Sequence, residues 1–167
     1  MIHKKICMLG SFAVGKTSLV QRFVQSTYSD RYHSTIGVKI DKKPLIVGDV
    51  ALSFMLWDIQ GDDGKRKVHM SYLRGASGYL LVVDGTRGET VKTAMALQQT
   101  VEQTVGRIPF VCVLNKVDLA EMWEVDDTVL RDIAARGWPL LRTSAKTSEG
   151  VEDAFHTLAR QIVSPAR

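Results

Sequence analysis

GSFAVGKT, Gly10–Thr17, stands between the apolar run Ile6–Leu9 and a helical pattern over Lys16–Gln25 that places Leu19, Val20 and Phe23 on one face. The stretch fits G-x-x-x-x-G-K-[ST] in the strand-loop-helix setting that gives the pattern its meaning. Gly10 and Gly15 let the backbone curl so that successive N–H groups, those of Ala13, Val14, Gly15, Lys16, Thr17 and Ser18 among them, face one anion. The dipole of the following helix adds positive potential. In this pattern Lys16 reaches the β- and γ-phosphates of a nucleotide, and the Thr17 hydroxyl binds Mg²⁺.

The rest of the chain repeats the same grammar. Lys39–Val47 and Ala51–Asp58 flank Gly48 and Asp49 as a tight hairpin, and Tyr79–Asp84 and Phe110–Asn115 are short, nearly continuous apolar runs of central strands. Helices are expected over Thr90–Val105, Asp126–Arg136 and Val151–Val163, with a last strand at Leu140–Thr143. Alternating β and α units call for a mostly parallel sheet with helices on both faces, and its ligands sit at the carboxyl ends of the strands. A length of 167 residues fits a single domain spanning 1–167.

Bulk composition narrows the classes. Apolar content of 45% and charged content of 24% are those of a soluble globular protein, and no apolar run approaches the ~20 residues that span a bilayer. The 22 basic residues give a net charge of only +4 and form no stripe interleaved with aromatics, so nucleic acid is not expected as a partner. Cys7 and Cys112 both lie within apolar runs, which reads as buried thiols of a reducing, cytoplasmic compartment. Neither is near the final SPAR, so no lipid anchor is expected in this chain.

NKVD, Asn115–Asp118, closes the Phe110–Asn115 strand, where a nucleotide base would lie. The Asp118 carboxylate can accept from two N–H groups on the Watson–Crick edge of guanine, whereas adenine would leave it unpaired. Hydrogen bonding of this kind rejects the wrong ligand by on the order of 10⁴-fold. Asn115 can tie the base to neighbouring loops, and the aliphatic stem of Lys116 can lie along its plane. Ser144, Ala145 and Lys146 follow the last strand, and the Ala145 N–H can meet the guanine carbonyl.

GSFAVGKT, Thr35, WDIQG, NKVD and SAK, in this order and spacing, resemble the small GTPases of the Ras superfamily over essentially the whole chain. TIGVKI, SYLRGA and GVEDAF look closest to the Rab and Ras branches. The resemblance implies an α/β P-loop NTPase fold with a six-stranded, mostly parallel sheet, one antiparallel edge strand and helices on both faces. It implies bound GTP or GDP with Mg²⁺, and two switch loops that present the γ-phosphate state to effector, exchange-factor and activating proteins. Thr35 then matches the first-switch threonine that bonds Mg²⁺ and senses the γ-phosphate. Asp58 matches the strand-end acid near Mg²⁺, the Gly61 N–H a γ-phosphate contact, and Tyr28 the aromatic that flanks the base.

Two positions depart from the family pattern. Asp62 stands where a water-orienting Gln is usual, while Gln60 precedes the glycine instead. Asp62 can accept from a water but cannot donate to the phosphoryl group, and a 100-fold slower step would correspond to about 2.7 kcal/mol. It could equally point to solvent. Phe12 replaces a small residue, and its ring could shield the γ-phosphate, obstruct an arginine supplied in trans, or fold outward. The catalytic candidates are Lys16, Thr35, Gly61, Asp62 and Gln60. The expected function is a slowly hydrolysing GTP/GDP switch, with a GTP-loaded binding module as the alternative. A P-loop kinase would need an arginine-rich lid, for which there is no insertion. Met70, Tyr72 and Leu73 could form an effector patch or a half-buried helix, and Met122 and Trp123 a surface contact or a satellite core.

Overall fold

The computed structural model describes residues 1–26, 37–63 and 67–164. Its strands are β1 (Ile2–Gly10), β2 (Val38–Val47), β3 (Val50–Ile59), β4 (Ala76–Asp84), β5 (Phe110–Asn115) and β6 (Leu140–Arg142). Its α-helices are α1 (Lys16–Gln25), α2 (Glu89–Val105), α3 (Asp127–Ala135) and α4 (Val151–Val163), with 3₁₀ turns at Met70–Leu73 and Val117–Met122. The strands form one six-stranded sheet in the order β2-β3-β1-β4-β5-β6. β2 and β3 pair antiparallel around Gly48, and every other pairing is parallel. The expected α/β fold of a P-loop NTPase, with its antiparallel edge strand, is therefore the fold observed.

Each central strand is apolar on both sides because each side is covered. Leu80, Val82, Val111 and Val113 join Leu19, Phe23, Phe155 and Leu158 beneath α1 and α4. Leu81, Val83, Cys112 and Leu114 face the other way, toward Ala94, Val101 and Ile133 of α2 and α3. Phe23 and Phe155 stack at 4.0 Å between ring centroids and pin α1 to α4. β1 begins four residues earlier than the apolar run suggests, because Ile2 to Lys5 pair with Leu52 to Met55. The Lys5 ammonium lies 3.6 Å from the Trp57 ring centroid, which lets a cation stand in a strand without losing its electrostatic partner.

This layering gathers the ends of β1, β3, β4 and β5 at one edge, next to the start of α1. Among the described residues, no helix is long and apolar enough to cross a membrane.

Candidate functional site

The loop between β1 and α1 is shaped by what surrounds it. At Gly10 (φ +153°) an added Cβ would sit 2.5 Å from the Val82 carbonyl oxygen. At Gly15 (φ +103°) it would sit 2.3 Å from the Asn115 side-chain nitrogen. Gly15 is thus bare for two reasons: its backbone is left-handed, and the NKVD asparagine occupies the space a side chain would need. α1 starts there with no side-chain cap and no acid in its first turn. By contrast, α2 begins with Glu89, α3 is capped by Asp126, and α4 carries Glu152 and Asp153. Of these four helices, α1 is the one whose own first turn supplies no acidic residue to its positive end.

Lys16 lies at that end, 6% exposed, donating to the Ser11 carbonyl at 3.1 Å. Burial pushes its amine down to about 8, with the Asp58 charge acting in the opposite direction. A buried ammonium of this kind costs desolvation energy that a polyphosphate would offset. The Thr17 hydroxyl donates to Asp58 Oδ2 at 2.5 Å, and Asp58, at the end of β3, is 1% exposed. One hydroxyl and one carboxylate are hard oxygen donors, suited to Mg²⁺, which takes few protein ligands and fills its other positions with phosphate oxygens and water. Among the described residues, no cluster of three or more His, Cys, Asp or Glu able to hold a metal ion occurs. Tyr28 and Thr35 lie outside the described residues.

The NKVD segment is tied in several directions at once. Asn115 donates to the Val14 carbonyl at 3.0 Å and accepts from the Thr143 hydroxyl at 3.0 Å. Asp118 accepts from the Ser144 hydroxyl at 2.7 Å, and Ser144 accepts from the Thr147 N–H at 3.0 Å. Lys116 adopts φ +73°, unusual for a residue with a side chain. Its ammonium pairs with Asp84 at 2.7 Å and donates to the Ala13 carbonyl at 3.4 Å. Trp123 donates to the Lys116 carbonyl at 2.8 Å, and its ring leaves no room for a side chain at Gly85. Trp123 is thus a prop under the loop, while Met122 stays 66% exposed.

The SAK segment is held from α1: Arg22 donates to the carbonyls of Ala145 and Lys146 at 2.8 and 2.7 Å. Arg22 and Asp84 are site-building residues that no motif pointed to. Their only sequence signal was a polar or bulky residue at a strand end or helix face.

At the other edge, Gly61 and Asp62 run alongside the phosphate loop. Phe12 N–H donates to the Asp62 carbonyl at 2.9 Å, and Asp62 N–H to the Gly10 carbonyl at 3.2 Å. A Cβ at Gly61 would come within 2.7 Å of Phe12 backbone atoms, so only glycine permits this approach. The Asp62 side chain is 11% exposed and 3.8 Å from the Lys67 ammonium. The solvent-pointing alternative for Asp62 does not hold. Gln60 is engaged elsewhere: its side-chain oxygen accepts from Gly37 N–H at 3.1 Å, and its backbone N–H donates to the Gly37 carbonyl at 2.7 Å. Phe12, 39% exposed, borders a cavity of about 510 Å³ shared with Asp62, Lys67 and Arg87. Of the Met70–Leu73 turn, Leu73 is buried, whereas the Tyr72 ring lies 6.3 Å from that of Trp57.

Comparison with known proteins agrees with this geometry. The model of the Ras family matches residues 5–164. The GTP-binding protein YPT1 of Saccharomyces cerevisiae is 36% identical over 160 residues, covering 95% of this chain and 78% of the yeast protein. With the parallel sheet, the glycine-shaped loop and the NKVD segment meeting at one edge, the chain belongs to the Ras family and is a Rab-like small GTPase.

Proposed function

We propose that this chain is a guanine-nucleotide switch whose binding machinery is complete and whose hydrolytic machinery is weakened. The observation that carries the reading is the contact between Asn115 and the loop at Val14 and Gly15, which makes the phosphate end and the base end one continuous site. In this reading the backbone of Ala13 to Ser18 and the Lys16 ammonium hold the phosphates, and Tyr28 flanks the base. Asp118 reads guanine while Asn115, Lys116, Ser144, Ala145 and Lys146 support it. Thr17, Thr35 and Asp58 would hold Mg²⁺, which supplies charge neutralisation at the β- and γ-phosphates. Lys16 would counter the charge on the same oxygens, and Thr35 and Gly61 would report whether the γ-phosphate is present.

Slow turnover follows from what occupies the second switch. The water-positioning place is filled by a carboxylate, and the nearby Gln60 side-chain oxygen accepts from Gly37 N–H. A carboxylate beside a γ-phosphate opposes the charge that develops there, although Lys67 offsets part of it. An activating protein would then supply the missing donor.

A second reading, a GTP-loaded module that scarcely turns over, is favoured by the two backbone bonds joining Asp62 to the phosphate loop. Single-turnover phosphate release at saturating Mg²⁺, for the parent and for Asp62→Gln, separates them. Slow release that accelerates in the variant supports the switch. No release from either protein, with GTP demonstrably bound, leaves only the module. Equal competition by ATP would remove both.

A further inference from the structure

Asp84, at the end of β4, is fully buried, yet neither it nor the nearby Arg87 belongs to the phosphate, switch or base motifs. Asp84 Oδ1 accepts from the Thr86 N–H and hydroxyl at 2.9 and 2.7 Å. Asp84 Oδ2 faces two cations, Lys116 at 2.7 Å and Arg87 at 3.9 Å. Each of those cations also grips the phosphate loop: Arg87 donates to the Phe12 carbonyl at 2.9 Å and Lys116 to the Ala13 carbonyl at 3.4 Å. Asn115 takes the next carbonyl, that of Val14, at 3.0 Å. Three consecutive carbonyls are therefore held by side chains from the ends of β4 and β5.

The consequence follows from peptide geometry. In a planar trans peptide the C=O of one residue and the N–H of the next point in opposite directions. Holding the carbonyls of residues 12, 13 and 14 toward Arg87, Lys116 and Asn115 turns the N–H groups of Ala13, Val14 and Gly15 the other way, into the loop's concavity. Left alone, a short glycine-containing loop would sample other peptide orientations, and ordering them on binding would weaken affinity.

We propose that Asp84 and Arg87 are positioning residues, forming with Lys116 a charged brace that sets the phosphate-loop amides before the nucleotide arrives. The proposal rests on the guanine-nucleotide reading above. Asp84 is the common element: its single buried charge fixes both cations, so the loop is braced from the base-binding strand as well as from the start of α2. Arg87 also pairs with Glu89 at 3.2 Å, but that exposed pair uses Nε, whereas Nη1 donates to the loop carbonyl.

Release of a fluorescent GDP analogue tests this in the parent, Arg87→Ala, Arg87→Lys, Asp84→Asn, the Asp84→Asn/Arg87→Ala double variant, and Glu89→Ala as a control. Arg87→Ala should speed release about 5- to 20-fold, the range for losing a half-exposed charge-assisted hydrogen bond. Arg87→Lys should recover part of the effect, and Glu89→Ala should leave release within twofold of the parent. Asp84→Asn should exceed Arg87→Ala, and the two changes combined should give less than the product of their effects. The preference for GTP over ATP should persist throughout, because Asp118 is untouched; a general loosening of the fold would erode it.

Release from Arg87→Ala within twofold of the parent overturns the brace, as do fully multiplicative effects of the two changes. If Asp84→Asn does not fold, the surface variant Arg87→Ala with its lysine rescue still decides the matter. Failure of the parent itself to bind GDP is a distinct result, and it removes the guanine-nucleotide reading along with the brace.

Discussion

At the NKVD end of the pocket, Asn115, Lys116 and Asp118 are each bonded to a different segment of the chain. At the edge formed by Gly61 and Asp62, backbone bonds tie the segment to the phosphate loop, and the Asp62 carboxylate pairs with Lys67, whose side chain is 77% exposed. The contrast separates two tasks. Recognition of a rigid base calls for side chains whose orientation is fixed beforehand, since each buried donor or acceptor left unpaired costs about 1–3 kcal/mol. A segment that must respond to one phosphate group gains from weaker, exchangeable ties, because tight ones would hold it in a single state.

Removing the reader from the fixed end should give the largest effect. Asp118→Ala is expected to reduce the preference for GTP over ATP by on the order of 10³–10⁴-fold, measured by equilibrium competition. A preference that survives would mean that the ordered end is not the recognising end.

The junction between the two regions comes next. Gly15→Ala places a Cβ 2.3 Å from the Asn115 nitrogen at a φ of +103°, and should destabilise the fold by about 2–4 kcal/mol in chemical denaturation. Gly48→Ala, also at positive φ but with nothing within 4 Å, should cost about 1 kcal/mol. Equal costs would show that Asn115 does not constrain the loop.

Asp62→Gln tests the looser edge. It should raise single-turnover hydrolysis about 10- to 100-fold, a gain of about 1.4–2.7 kcal/mol in the transition state, without changing GDP affinity more than about twofold. An unchanged rate would place the deficit at Phe12 instead.

The smallest effect is expected in the core beneath both regions. Burial pushes the Cys7 and Cys112 thiols up to about 12 from 9.0, so in the native protein at pH 8 neither should react with a thiol reagent until the chain unfolds. Because the folded values lie above the ordinary one, this stabilisation is complete below pH 9 and is lost as pH rises toward 12. Rapid labelling of folded protein would show that the sheet opens near these strands.

Local pattern carried far in this chain. The limits of α1, β5 and α4 follow from their apolar spacing alone, as does the hairpin around Gly48. β4 starts at Ala76, three residues ahead of its apolar run, because Ala76 and Gly78 are recruited by pairing with Lys5 and Ile6. α3 begins after Asp126, whose side chain accepts from Val129 N–H at 3.1 Å and so caps the helix instead of joining it. The glycine loop, the strand-end Asp58 and NKVD were legible because each is a short run whose chemistry depends on its own spacing.

The residues that hold those motifs in place were not legible. Arg22 reaches a carbonyl 123 residues away, and Arg87 one 75 residues away. The sequence by itself determined the alternation of strands and helices, the phosphate loop and the base motif, since periodicity and contiguous motifs are written within a few turns of chain. Only the tertiary structure decided that Asp62 is drawn in beside Lys67, that Gln60 is spent on Gly37, and that Asp84 anchors two cations against the phosphate loop. Such pairings depend on which strand ends the sheet order brings together, and single-residue chemistry carries no record of that order.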